Sequence, residues 1–389
     1  MHPFKKLILV SLGKESQFEK IPSAADWAML FRRAKFQTML GVLYQGLIRL
    51  PDEQLPPEHI KKEWSRLAGR IEDIHALHEK RVKEMEGLFR KLGLRGCILK
   101  GTGLSHLYPK PSARQSGDID VWVEGTHRSI LKKLQSRYNV WNVLYQECKV
   151  DFFDDVIVEV HFHPSKMYNP FCNARLQRWL EANGPFSGSA GSKDGSRTGG
   201  SKGRSAAGKP GSGAGTEAGT ECGTGTGTGT LTYPTARFNA VFCMAHMFRH
   251  YLEGGIGFRQ MMDYYYLLQV LDPDDRAEVM KVFRRTGMAR FAGAVMHVLK
   301  YTFRLEDEFM LCPPDRKYGS PMIREILVHG NFGVLDKRNY SSEGETVLGR
   351  FRRKNARVLS KLRDYPRQVI WSPFARIGQF IWRLFNGYL

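Results

Sequence analysis

The stretch Ser116-Gly-Asp-Ile-Asp-Val-Trp-Val-Glu-Gly125 sets Asp118 and Asp120 one residue apart in a run of β-branched and aromatic side chains. Such a run, bounded by glycines, is expected to form a strand. Residues two apart on a strand point the same way, so both acids share one face of an otherwise apolar segment. At neutral pH they repel each other, and burying them unpaired is costly. A divalent cation converts that repulsion into binding energy. A third acid, Glu159, stands mid-run in Val156-Ile-Val-Glu-Val-His-Phe162. A strand lying beside the first would bring it to the two aspartates. Upstream, Lys100-Gly101-Thr102 falls at an expected strand-to-helix junction, where free backbone N–H groups and the helix dipole favour a phosphate. Acids to hold metals, metals to hold a triphosphate and a glycine turn to cradle its far end are the parts of phosphoryl or nucleotidyl transfer.

Other chemistry-bearing residues are read with their simpler roles beside them. His161 and His163 stand two apart with no third ligand evident, and satisfied structural histidines are expected. His246 and His250 are four apart on a helix but lack the glutamate of HExxH, so the metalloprotease pattern fails; they are expected to face the cleft. Arg259 and Asp263 are also four apart. They read either as an intrahelical ion pair or as an arginine reaching substrate phosphate with Asp263 orienting it. Asp154 and Asp155 are expected to serve a turn.

The elements that must position these groups follow from periodicity. Residues 1–92 read as helical, broken by Pro51, Pro56 and Pro57, with a long charged helix over about 58–92. From Gly93 the texture becomes that of a small α/β layer. A short strand over 95–101 leads to a short helix from Thr102 to Tyr108 and then to the Asp118 strand. A helix over about 127–138, capped by Thr126, precedes two extended runs at 145–153 and 156–162 that suit a hairpin. Residues 184–230 are nearly all Gly, Ser, Thr and Ala. They cannot bury enough apolar surface to offset chain entropy, and a disordered linker or surface insertion is expected. No strand precedes these glycines and no GK[ST] occurs, which argues against a phosphate loop. Residues 231–389 read as mostly helical, near 236–252, 257–271, 274–286, 288–304 and 346–364.

Composition bounds the function classes. The chain has 389 residues, 42% of them hydrophobic, which suffices for a sizeable core and two or three domains. A formal net charge of +20 favours polyanionic partners. Residues 345–389 hold ten Lys or Arg against Glu345 and Asp364, a net +8. That segment reads either as a solvated helix face or as a working basic surface. Six cysteines without CxxC spacing argue against a disulfide framework or a cysteine zinc site. No convincing signal peptide and no run of roughly 20 apolar residues is present, so no transmembrane segment is expected and a cytoplasmic location is. The short apolar run Ile377 to Phe385 allows a membrane-surface contact.

The ordered strings Leu99-Lys-Gly101, Leu107-Tyr-Pro109, Arg114-Gln-Ser-Gly-Asp-Ile-Asp120, Val158-Glu-Val-His161 and Gly255-Ile-Gly-Phe-Arg-Gln-Met-Met-Asp263 carry a resemblance, with His329-Gly-Asn-Phe-Gly333 behind them. They resemble the nucleotidyltransferase fold of the DNA polymerase beta superfamily. The closer likeness is to a bacterial group of largely uncharacterised nucleotidyltransferase family proteins. It departs from the wider superfamily in having Thr102 where Gly or Ser is usual, and in a longer gap to Asp118.

The resemblance implies an α+β fold. Residues 1–92 would be an N-terminal helical region, 93–183 a nucleotidyltransferase core with a small mixed sheet, 184–230 the insertion and 231–389 a C-terminal helical domain. It implies that Asp118 and Asp120 coordinate two magnesium ions. Glu159 would complete the metal site on the side of the attacking hydroxyl and help remove its proton. Gly101 and Thr102 would hold the β- and γ-phosphates of a nucleoside triphosphate, with Lys100, Arg114 and Arg259 as further nucleotide contacts. The expected reaction is transfer of a nucleoside monophosphate to a hydroxyl acceptor, a small molecule or sugar. Nucleic acid is the less favoured acceptor, because no compact nucleic-acid-binding module is recognisable. The alternative is a non-catalytic nucleotide- or nucleic-acid-binding protein working through the basic C-terminal helices.

Overall fold

The computed structural model describes residues 2–187, 229–341 and 343–388. Most of the Gly/Ser/Thr-rich stretch expected to be a linker lies outside the described residues. The fold is α+β: helices from both ends of the chain surround one mixed sheet. Six strands build it: β1 (Gly96–Ile98), β2 (Ile119–Val123), β3 (Val140–Trp141), β4 (Glu147–Val150), β5 (Val158–His161) and β6 (Leu231–Thr232). Their spatial order is β3-β4-β5-β2-β1-β6. Strand β2 is antiparallel to β1 and parallel to β5, while β4 and β5 form the antiparallel hairpin expected around Asp154-Asp155. Two strands were not foreseen. The two-residue β3 pairs with β4, and β6, just beyond the Gly/Ser/Thr stretch, adds to the β1 edge in parallel. Both are too short to give a period-2 signal.

Alternation along the strands assigns the two faces of the sheet different chemistry. Ile119, Val121 and Val123 of β2, Val158 and Val160 of β5, and Cys148 and Val150 of β4 point into one core. Helix Glu58–Leu92 contributes Val82, Met85 and Phe89 to that core, and helix His127–Gln135 contributes Ile130, Leu131 and Leu134. The shorter helix is fixed by a capping box in which Thr126 and Ser129 bond each other's backbone N–H. The long helix stops at Gly93, whose φ of 60° suits a left-handed cap.

On the opposite face lie Asp120, Glu159 and His161, with Trp122 beside them. Helix Ala236–Glu253 crosses this face. Phe238 stacks on the Trp122 ring at 5.8 Å, and the residues one and two turns further on, Phe242 and His246, follow the same stripe. A large second core unites this helix with both ends of the chain: Phe4, Leu7 and Ile8 of helix Pro3–Ser11, Trp27, Trp64, and then Phe258, Phe291 and Val369 all belong to it.

Helices Pro170–Asn183, Arg316–His329 and Ser372–Phe385 were also not foreseen. The second carries Pro321 in its interior, a residue read from sequence as punctuation. Packing against helix Ala289–Val298 is the tertiary compensation for its missing hydrogen bond.

Candidate active site

Register decides how the acids meet. In the parallel β2–β5 pair, Asp120 lies opposite Glu159 and Trp122 opposite His161. Opposed residues in a ladder put their side chains on the same face. Asp118 sits one residue before β2 and lines the same cavity as Asp120 and Glu159. That cavity, about 470 Å³, lies between the polar face of the sheet and helices Ala236–Glu253 and Phe258–Gln269.

The three carboxyls are not equivalent. Asp120 is buried, and burial alone would push its carboxyl up. Lys100 and His161 outweigh that and hold it far below the usual carboxylate range. Lys100 Nζ is 3.0 Å from Asp120 Oδ1, and His161 Nε2 donates to the same oxygen at 2.8 Å. Repulsion from Asp120, then burial, raise the Asp118 carboxyl. Burial, then repulsion from Asp118 and Asp120, raise Glu159. Lys149 Nζ, directly across the β4–β5 ladder, offsets Glu159 at 3.3 Å. Clustered, partly buried carboxyls, two of them raised by burial and by neighbouring acids, are a setting in which a divalent cation binds well.

The histidine pair divides. His161, read from sequence as structural, has a ligating nitrogen that lies with one oxygen each of Asp120 and Glu159 within 4.8 Å of one another, a group able to hold a metal ion. Its other nitrogen lies 3.5 Å from Glu147 Oε2. The signal was present in Val158-Glu-Val-His161: alternation puts His161 on the face of Glu159. His163 instead joins an aromatic cluster with His127 and Tyr145, at ring distances of 5.3 and 5.4 Å. His246 and His250 line the cavity; burial, followed by nearby cations, holds both well below the ordinary imidazole range, so they are neutral.

Around the expected phosphate turn the picture is mixed. Gly101 has φ 61° and ψ −118°, a backbone conformation that a side chain would strain, and it lines the cavity. Thr102 begins a single helical turn that ends at Ser105, short of the expected Tyr108, and its buried hydroxyl has no partner. Lys100 turns toward the acids, with His246 Nε2 3.4 Å from its ammonium. Its charge therefore stands where a metal's charge would be needed. Asp263 neither forms the expected intrahelical ion pair with Arg259 nor orients it. Asp263 takes Arg114 instead, in a bidentate pair at 2.7 and 2.8 Å, and accepts from Tyr108 Oη at 2.5 Å. The remaining terminal nitrogen of Arg114 donates to Ser116 Oγ at 2.9 Å, so the guanidinium is largely committed. Arg259 donates to the Gln115 carbonyl at 2.9 Å. Among the described residues no carboxylate lies within ion-pairing distance of it, and its Nε lacks a partner. Arg249, whose Nε also lacks one, lines the same cavity.

A family model described as "uncharacterised nucleotidyltransferase" matches residues 23–190 and 224–304. The chain belongs to this nucleotidyltransferase family. No curated protein and no solved structure matches the chain. The family match takes in the whole acid face of the sheet, together with the two helices that close the cavity.

Proposed function

We propose that the chain transfers a nucleoside monophosphate from a nucleoside triphosphate to the hydroxyl of a small molecule or sugar, with Asp118, Asp120 and Glu159 as metal ligands. The observation supporting this most directly is the Asp120–Glu159 register with His161 beside it; Asp118 lines the same cavity but stands outside the group of ligand atoms within 4.8 Å of one another. The donor set suits the group: carboxylate oxygens and one imidazole, partly buried, with Asp118 raised first by repulsion from Asp120 and Glu159 raised first by burial. Bound there, two magnesium ions would activate the acceptor hydroxyl and neutralise the departing pyrophosphate.

The chain's own groups do the rest. Glu159 takes the proton of the attacking hydroxyl, a task its raised carboxyl suits. Arg259 offers free donors to the triphosphate, and the open backbone at Gly101 lets phosphate oxygens approach closely. Asp263 and Arg114 act as a buried strut that ties the loop before β2 to helix Phe258–Gln269. His161 and Lys100 keep Asp120 ionised.

The test uses each radiolabelled triphosphate with magnesium and a cell extract, comparing the native chain with Asp118→Asn/Asp120→Asn. Label transfer is expected from at least one nucleotide, and a loss of at least roughly 10³-fold in the double variant. Transfer undiminished in that variant would remove these acids from the mechanism.

A further inference from the structure

Helix Ser372–Phe385 turns Arg376, Gln379, Trp382 and Arg383 toward the protein and an apolar stripe away from it. On the inner side Ser372 is buried, Arg376 donates to Tyr168 Oη at 3.0 Å, and Arg383 donates to the Tyr388 carbonyl. Arg376, Gln379 and Arg383 line a second cavity of about 630 Å³ together with Lys166 and Tyr168. On the outer side Phe374, Ile377, Ile381, Leu384 and Phe385 are 63, 45, 44, 54 and 83% exposed. Their spacing of three and four residues puts them on one helical face. The patch extends past the helix. The Trp371 ring lies 6.1 Å from Phe374 and 6.3 Å from the exposed Phe171, and Ile370 is exposed beside them. Single exposed apolar residues are ordinary, but this continuous stripe is left uncovered by the described residues.

Charge indicates what covers it. Arg363 and Arg367 precede the helix, and Arg352 lies on the neighbouring helix Val347–Leu359; all three are exposed, and among the described residues none has a carboxylate within ion-pairing distance. The segment that bears this face is at net +8, which opposes the pairing of two copies and favours an anionic partner. An anionic lipid surface meets both requirements at once. The acyl boundary takes the Phe, Ile and Leu side chains, headgroup phosphates take the arginines, and Trp371 suits the interface between them. The helix has 14 residues, and among the described residues no helix is long and apolar enough to cross a membrane. It therefore lies along the surface.

We infer that the outward face of helix Ser372–Phe385, with Arg352, Arg363 and Arg367, seats the protein on an anionic bilayer. The test is flotation of the full chain with phosphatidylcholine vesicles, with or without about one-third phosphatidylglycerol. The native chain is expected to float with the anionic vesicles, to release as salt is raised, and to remain behind with phosphatidylcholine alone. Ile377→Asp/Ile381→Asp and Arg363→Glu/Arg367→Glu are each expected to weaken partitioning at least about tenfold. These residues face solvent, so an unchanged thermal midpoint checks that the variants are folded. The inference is overturned if the native chain ignores anionic vesicles or if the folded variants float as well as it does. It also fails if the apolar face proves to support a dimer, or the arginines to bind RNA, without any vesicle binding.

Discussion

Among single residues, His161 carries more than its sequence role suggested, because one ring nitrogen reaches Asp120 and Glu159 while the other lies near Glu147. His161→Gln keeps the volume and removes the ligating nitrogen. Isothermal titration with Mn²⁺ is expected to show affinity lowered by roughly 10–100-fold. The same titration tests the raised carboxyls. A carboxyl must be ionised to bind metal, and Asp118 and Glu159 hold their protons to higher pH than free carboxyls do. Affinity should therefore begin to fall, as pH is lowered, clearly above the ordinary carboxylate range near about 4. Asp263 is the other residue with outsized leverage. Asp263→Ala strands the buried Arg114 guanidinium, and urea unfolding is expected to show a loss of roughly 3–5 kcal/mol.

The two glycine-bearing strings seen in the sequence prove, as elements, to be one interlocked pair of loops. Gly254 and Gly255 meet Phe332 and Gly333 backbone to backbone, and Gly257 packs against Asn331. Asn339 Nδ2 ties them by donating to both the Gly254 and Gly333 carbonyls at 2.9 Å. Gly333 has φ 62°, and a Cβ there would lie 2.0 Å from the Gly254 carbonyl oxygen. Backbone must move to admit it. Gly333→Ala is expected to cost more than about 2 kcal/mol in urea unfolding. Phe332 lines the acid cavity, and its ring lies 5.8 Å from the Arg259 guanidinium. The same variant should therefore weaken nucleotide binding, which fluorescence titration with a labelled triphosphate would detect.

In the whole molecule, helix Pro3–Ser11 is embedded in the core built mainly by helices hundreds of residues later. Phe4, Leu7 and Ile8 are fully buried, and the Phe4 ring lies 6.0 Å from that of Phe258. Leu7→Ala is expected to cost roughly 2–5 kcal/mol. Because Trp27 and Trp64 share that core, their fluorescence and the far-UV circular dichroism of the C-terminal helices should shift together in denaturant.

Local pattern was enough for several features. The hydrophobic stripe and proline-flanked start of the long helix set its span, Glu58–Leu92, because side-chain period needs no partner to be read. Close spacing likewise set Asp118 and Asp120 in one cavity, though Asp118 precedes β2 rather than lying on it, and the order of the short strings pointed to a nucleotidyltransferase family. Tertiary structure decided the pairings. Which strand lies beside β2, and in what register, brings Glu159 opposite Asp120 and makes His161 their neighbour. Asp263 chooses Arg114, 149 residues away in sequence, over Arg259 four residues away, because burial makes a bidentate partner worth more than a proximal one. Helix Ser372–Phe385 shows the same division. Its amphipathicity belongs to the sequence, but that the apolar side faces outward follows from what the rest of the chain packs against it. Distant contacts carry no local periodicity, so only the folded chain reveals them.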